Sequence, residues 1–194
     1  MIRVATRERI LHAALTVFAR KGYHKALVDD IVRASRTSKG AVYHHFPNKE
    51  ALFLSLVDDF AARLAQAVAH AIAGSHGALG KVEAALRAGL ETFAANRELA
   101  RILLLEAVSL GPAYEAKRAE IHERFAALIR GYLDEAAAAE GSIPPLDTRV
   151  ATLAWLGAVN EVVIQWLSRG EPDLLREAVP ALTPMLLRSI GARS

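Results

Sequence analysis

Apolar positions recur along this chain at helical spacing, and polar punctuation divides them into discrete segments. Ile10, Ala13, Ala14, Val17 and Phe18 fall at i, i+3, i+4, i+7 and i+8, which predicts an amphipathic helix over Arg7–Arg20. Lys21-Gly22 closes it, the glycine being free to take a left-handed cap. A short helix over Val28–Ser35 buries Ile31, the pattern breaks at Arg36-Thr37, and a further helix over Ser38–His45 ends at Pro47. Asn48 can cap a fourth helix that carries Leu52, Leu56, Phe60, Leu64 and Val68. Gly74-Ser75-His76-Gly77 is the clearest interruption. Beyond it the periodicity predicts helices near 79–95, 98–109, 112–139, 146–168 and 173–190, with Gly111-Pro112 opening the third and Pro180 and Pro184 kinking or splitting the last.

β-branched runs and Asn-Gly or Asp-Gly turns are scarce, so the expected class is all-α: an N-terminal three-helix unit and a C-terminal helical body. Of the 194 residues 53% are hydrophobic, which suffices for a real core. The chain has no cysteine, which excludes disulfides, thiolate metal sites and thiol nucleophiles and suits a reducing cytoplasm. MIRVATRER is charged and lacks a signal peptide's apolar run. Val150–Leu167 has the minimum length of a membrane span, yet Thr152, Asn160, Glu161 and Gln165 would be costly in lipid, so a core or interface helix is expected and no membrane partner.

Charge then changes the picture. The net value is only +3, but residues 1–50 hold ten Lys/Arg against four acids, +6, and the remainder sums to −3. A basic head on a mildly acidic body suits a segment that meets a polyanion. Two short helices joined by a tight turn, the second rich in hydroxyl, ammonium, phenol and imidazole groups, suit a helix laid in the DNA major groove. Ser38, Lys39 and Ala41 are candidates for base edges, Lys39 for guanine and Ala41 for a thymine methyl. Tyr43 and His44 can donate to phosphate oxygens, and Lys49, in the first turn of the fourth helix, is a further phosphate candidate. Arg36 and Thr37 in the turn complete the DNA-facing set. Phe46 reads as a core aromatic. His44 and His45 are adjacent on a helix and diverge by about 100°, which argues against a shared metal, so none is expected.

In order, Arg9-Ile10-Leu11, Ala13-Ala14, Phe18, Gly22-Tyr23, Val28-Asp29-Asp30-Ile31, Ser38-Lys39-Gly40, Val42-Tyr43-His44-His45-Phe46 and Lys49-Glu50-Ala51-Leu52 resemble the TetR family of transcriptional regulators, without a gap over residues 7–56. The resemblance implies a DNA-binding head, placed at residues 1–50, and an effector-binding and dimerisation body over 51–194. It also implies a homodimer on a double-stranded, palindromic operator, released by a small apolar or amphipathic effector. The chain departs from the family pattern in two places. Ala26 and Leu27 stand where hydroxyl residues usually open the second helix, and Arg36-Thr37 stand where Gly-Val is usual in the turn. Arg36 either accepts left-handed strain or reshapes the turn.

In the body, Phe93, Leu104, Tyr114, Phe125 and Trp155 are the candidate effector-pocket residues, with plain core packing as the competing reading of each. The stretches 96–106 and 157–163 resemble TetR-type regulators of fatty-acid metabolism, which implies a fatty acid or acyl-CoA effector. Asn160, Glu161, Gln165, Leu182 and Leu186 are candidates for the dimer interface. Glu106, His122 and Glu161 form no catalytic motif, so no enzyme activity and no cofactor is expected. A DNA-binding regulator controlled by a protein partner, and a helical enzyme or carrier with a vestigial head, stay open as other readings.

Overall fold

A computed structural model of the chain describes residues 2–106, 110–139 and 143–192. All described regular structure is helical: α1 (Ile2–Lys21), α2 (Val28–Ser35), α3 (Lys39–His45), α4 (Lys49–Ala73), α5 (Ala78–Ala95), α6 (Arg97–Arg101), α7 (Pro112–Ala138), α8 (Thr148–Arg169) and α9 (Val179–Ser189). Wider π-type turns follow α6, at Ile102–Glu106, and precede α9, at Leu174–Ala178. The packing forms two compact units, Met1–Ala62 with Glu98–Lys117 and Arg63–Arg97 with Arg118–Ser194.

The first unit buries the face of α1 that periodicity selects, with Ile10, Ala14 and Phe18 fully enclosed. α1 starts five residues before Arg7, since Ile2–Thr6 contains no glycine or proline to stop it. Ile31, Val42 and Phe46 close the core from α2 and α3. Phe53 of α4 sits at its centre, with ring centroids 5.8 Å from Phe18, 5.1 Å from Tyr23 and 6.0 Å from Tyr114. Such tilted and edge-on pairs add to what area burial alone provides. Tyr114 is buried, and its hydroxyl donates to the Leu103 carbonyl, which satisfies its polar end. This unit thus recruits residues 98–117, far from α1–α4 in sequence.

In the second unit α9 and the π-type turn before it pack on α5, and that turn also meets α8. Asp147 caps α8 by accepting from Val150 N at 3.0 Å, and left-handed Gly170 ends it. The expected break at Pro180 and Pro184 does not occur: a π-type turn over Leu174–Ala178 runs directly into α9 at Val179, and Pro184 lies inside that helix. Asp173 accepts from Leu175 N and Arg176 N to start the turn, and α9 begins with Pro180 in its first turn, where a missing N–H costs nothing. α8 is the one described helix long and apolar enough to cross a membrane. It instead buries Thr152, Trp155, Val163, Trp166 and Leu167 within the unit and exposes Asn160 and Glu161.

Candidate nucleic-acid interface

α2 and α3 are joined by a turn built on strain. Arg36 adopts φ 51°, ψ 41°, the left-handed region, and is the non-glycine residue with positive φ among those described. The Thr37 N–H returns to the Val32 carbonyl at 3.4 Å, the long-range bond of a Schellman cap. Buried Ser35 shares a hydrogen bond with the Thr37 hydroxyl at 2.7 Å and donates to Val32 O, which pins the turn from inside. Arg36 therefore accepts the strain rather than reshaping the turn, and its exposed guanidinium projects from the end of α2. Replacing Arg36 with glycine should stabilise the protein by about 0.5–1 kcal/mol, because the left-handed penalty exceeds glycine's extra unfolded-state entropy. Chemical denaturation measures this; an unchanged or lower midpoint would contradict the strain.

α3 begins where Ser38 accepts from Ala41 N at 3.1 Å. Its first turn exposes Ser38 and Lys39 and leaves Ala41 half-buried, while Tyr43 (44% exposed) and His44 point outward further on. Core placement is thereby excluded for Tyr43 and holds for Phe46, which is 2% exposed. Val42 and Phe46 anchor the opposite face of α3. The Lys39 ammonium is 2.8 Å from the Asp29 carboxylate on α2, and that hydrogen bond raises its pKa. Both partners are more than half exposed, so water and salt weaken the pair and it opens readily for another acceptor. His44 and His45 rings lie edge to face with centroids 5.3 Å apart.

Lys49 requires a correction. Its ammonium donates to the carbonyls of Tyr23 (2.9 Å), Ala26 (3.0 Å) and His24 (3.4 Å) and lies 4.4 Å from the Tyr23 ring centroid. Burial pushes its pKa down. All three N–H donors have acceptors in the loop between α1 and α2, so the geometry makes Lys49 a staple of that loop rather than a hand for phosphate. Thr37 is likewise half-buried and bonded to Ser35, so it holds the turn instead of leading the DNA-facing set.

Asp30, whose place near the start of α2 favours the helix terminus, is a polar hub whose distant partners sequence spacing does not reveal. It is buried, accepts from Leu27 N at 3.2 Å, meets Lys21 at 2.7 Å and pairs with Arg33. Leu27 offers no side-chain acceptor, so Asp30 supplies half a capping box and repairs the missing hydroxyl cap of α2. The hydrogen bond from Lys21, then that from Leu27 N, lowers its carboxyl pKa. A depressed carboxylate stabilises the fold above its unfolded pKa of about 3.9, and that contribution is lost as pH falls through the folded value. Asp30→Asn should therefore flatten the acid limb of stability below about pH 4. An unaltered limb in pH-dependent denaturation would refute the role.

The body residues fall differently from expectation. Leu104 and Tyr114 belong to the first unit, whereas Phe93, Phe125 and Trp155 belong to the second. Tyr114 and Trp155 are buried with satisfied polar ends, Trp155 Nε1 donating to Ser189 Oγ at 3.1 Å. They are core residues, for the physical reason that a large aromatic body with one bonded tip fills space well. A groove of about 380 Å³ lies between α7 and α8 instead, lined by none of the five. Leu182 and Leu186 are 5% and 4% exposed, so they face their own unit's core and not a partner. Asn160 and Glu161 are exposed, and Gln165 donates to Glu161 at 2.6 Å.

A strained turn, a serine-capped second helix with one buried and one polar face, and a basic surround define a helix-turn-helix DNA-binding unit. Residues 10–56 match the family model of the bacterial regulatory proteins of the tetR family, and residues 75–188 match the tetracyclin repressor-like C-terminal domain. The chain belongs to the TetR family of bacterial regulatory proteins. A 65-residue stretch is 45% identical to the repressor AcnR of Corynebacterium efficiens, covering 34% of this chain and 35% of that protein. The chain thus spans about a third of the length of such relatives. The fatty acid metabolism regulator protein of Bacillus subtilis is 25% identical over 159 residues, 82% of each chain. Among solved structures, the fatty acid degradation regulator FadR of Bacillus halodurans superposes with a TM-score of 0.86 at 26% identity over 97% of both chains. FadR of Bacillus subtilis, solved with stearoyl-CoA, superposes at 0.80 with 24% identity, covering 96% of this chain and 99% of that one.

Proposed function

We propose that the protein is a ligand-responsive transcriptional repressor that binds a palindromic operator as a homodimer in the cytoplasm, with residues 1–50 reading DNA and 51–194 binding effector and partner. The observation that carries this reading is the outer face of α3, where Ser38, Lys39, Tyr43 and His44 stand exposed beside Arg36. Ser38, Lys39 and Ala41 read base edges, while Arg36, Tyr43 and His44 hold phosphates. Two such helices in successive major grooves require half-sites about one helical turn, ~34 Å, or somewhat more apart. The exposed stripe of α8, Val150, Ala154, Gly157 and Glu161, with Met185 of α9, is the face offered to the second copy.

A fatty acid or acyl-CoA is the proposed effector. The reading is supported by the names of the relatives that match over most of the chain and by the stearoyl-CoA held by one structural neighbour. Such a ligand lowers operator affinity only by its differential affinity for the body conformation that sets the wrong head spacing, with α4 as the lever. Binding of labelled duplex, followed by anisotropy across a salt series and then with added palmitoyl-CoA, tests the whole reading. Salt-dependent binding relieved by the thioester is expected, and absence of duplex binding at low ionic strength overturns it. Lys39→Ala should relax base preference at one position per half-site in a binding-site selection. An unchanged profile would remove it from the base-reading set.

A further inference from the structure

The groove between α7 and α8 carries more basic than acidic side chains. Glu123 and Arg130 line it from α7, with Ala126 and Ala127 between them on the same helical face, and Arg149, Thr152 and Leu153 line it from α8. All of it lies within the second unit. Arg130, Arg149 and Glu123 are exposed and make no hydrogen bond or ion pair among the described residues. Thr152 is 2% exposed, and its hydroxyl oxygen is buried without a hydrogen-bond partner. An unpaired buried hydroxyl is costly, and native proteins satisfy nearly all such groups. The lining holds two guanidiniums and a single carboxylate, Glu123, and is basic on balance. Leu153, half exposed, adds an apolar wall.

We propose that this groove holds the anionic headgroup of an amphiphilic ligand, with Arg130 and Arg149 on its phosphate or carboxylate oxygens and the Thr152 hydroxyl, buried in the free protein, rotating about χ1 to complete the shell. Guanidinium forks suit both oxyanions, since each presents parallel N–H donors. A volume of about 380 Å³ suits a headgroup, at the small end of ligand sites. The amphiphilic nature of the ligand and the regulatory consequence of its binding rest on the effector reading given above; the anion site itself does not.

Calorimetric titration of the full chain with coenzyme A and, separately, with palmitate tests the proposal and separates the two headgroup sources. Coenzyme A binding assigns the phosphate and palmitate binding the carboxylate. In either case Arg130→Ala with Arg149→Ala should weaken binding at least tenfold while leaving the melting temperature unchanged. Thr152→Val should weaken it at least threefold and raise the melting temperature. A purely structural Thr152 would give the rise in melting temperature without the loss of binding. Neither compound binding, or the double variant binding as tightly as the wild type, overturns the proposal. So does loss of the dimer in the ligand-free double variant, which would mean that a second copy fills the groove. Operator release distinguishes the two readings. Release that is equal in wild type and double variant sinks the groove and spares the effector, whereas groove binding without release does the reverse.

Discussion

Phe53→Ala should cost the head about 3–5 kcal/mol, the range for emptying a buried phenylalanine site. The ring is 1% exposed and touches Phe18, Tyr23 and Tyr114, which come from α1, the following loop and the start of α7. These neighbours are rigid and aromatic, so they cannot collapse to fill the void, which places the loss toward the upper end. A loss of that size is comparable with a small unit's entire stability. Thermal or urea denaturation followed by far-UV dichroism measures it, and operator binding should vanish with the fold. Phe53→Leu keeps most of the volume and should cost well under half as much. Equal losses for the two variants would mean that ring geometry, not filled space, governs the site.

Lys49→Ala carries the second large effect, and its sign separates two chemistries. Removing the ammonium takes the donor from the carbonyls of His24 and Ala26, leaves that of Tyr23 with the Ala26 N–H alone, and unties the α1–α2 loop from α4. Lost charge-assisted hydrogen bonds of this kind cost about 1.5–3 kcal/mol. At temperatures where the variant remains folded, operator affinity should keep the salt dependence of the wild type. A phosphate-binding lysine would instead reduce the slope of log K against log salt by about 0.9. Binding isotherms at four or five ionic strengths decide the matter, with the denaturation midpoint as the control. A reduced slope with an unmoved midpoint would return Lys49 to the DNA-facing set.

The outcome at Lys49 illustrates what linear spacing reveals and what it hides. Its place in the first turn of a helix advertises a cation beside free N–H groups, and that much is legible from sequence. The three carbonyls that claim it lie 23–26 residues upstream, in a loop whose path only the packed unit defines. Asp29 and Lys39 are separated in the same way: they stand ten positions apart across a turn, so no i, i+4 rule joins them. Asp30 shows the complementary case. Its position near the start of α2 was legible as favourable for a helix terminus, while its hold on Lys21 required α1 and α2 to pack.

By itself the sequence determined the helical class, the run of short helices and the cap at Asn48. Each of these follows from local backbone sterics and from the 3.6-residue period, both of which act over a few neighbouring residues. It also determined that a basic helix-turn-helix opens the chain, because the family's ordered motif lies within fifty contiguous residues. Only the tertiary structure decided which apolar side chains face inward on helices that are apolar nearly all round. Trp155, Leu182 and Leu186 proved to be core, and Val150, Leu153 and Met185 exposed. Periodicity cannot choose a face when most faces of a helix are greasy; the neighbours choose it. The same reason hid the α7–α8 groove: its arginines are i, i+19 in sequence and become one site only when two helices lie side by side.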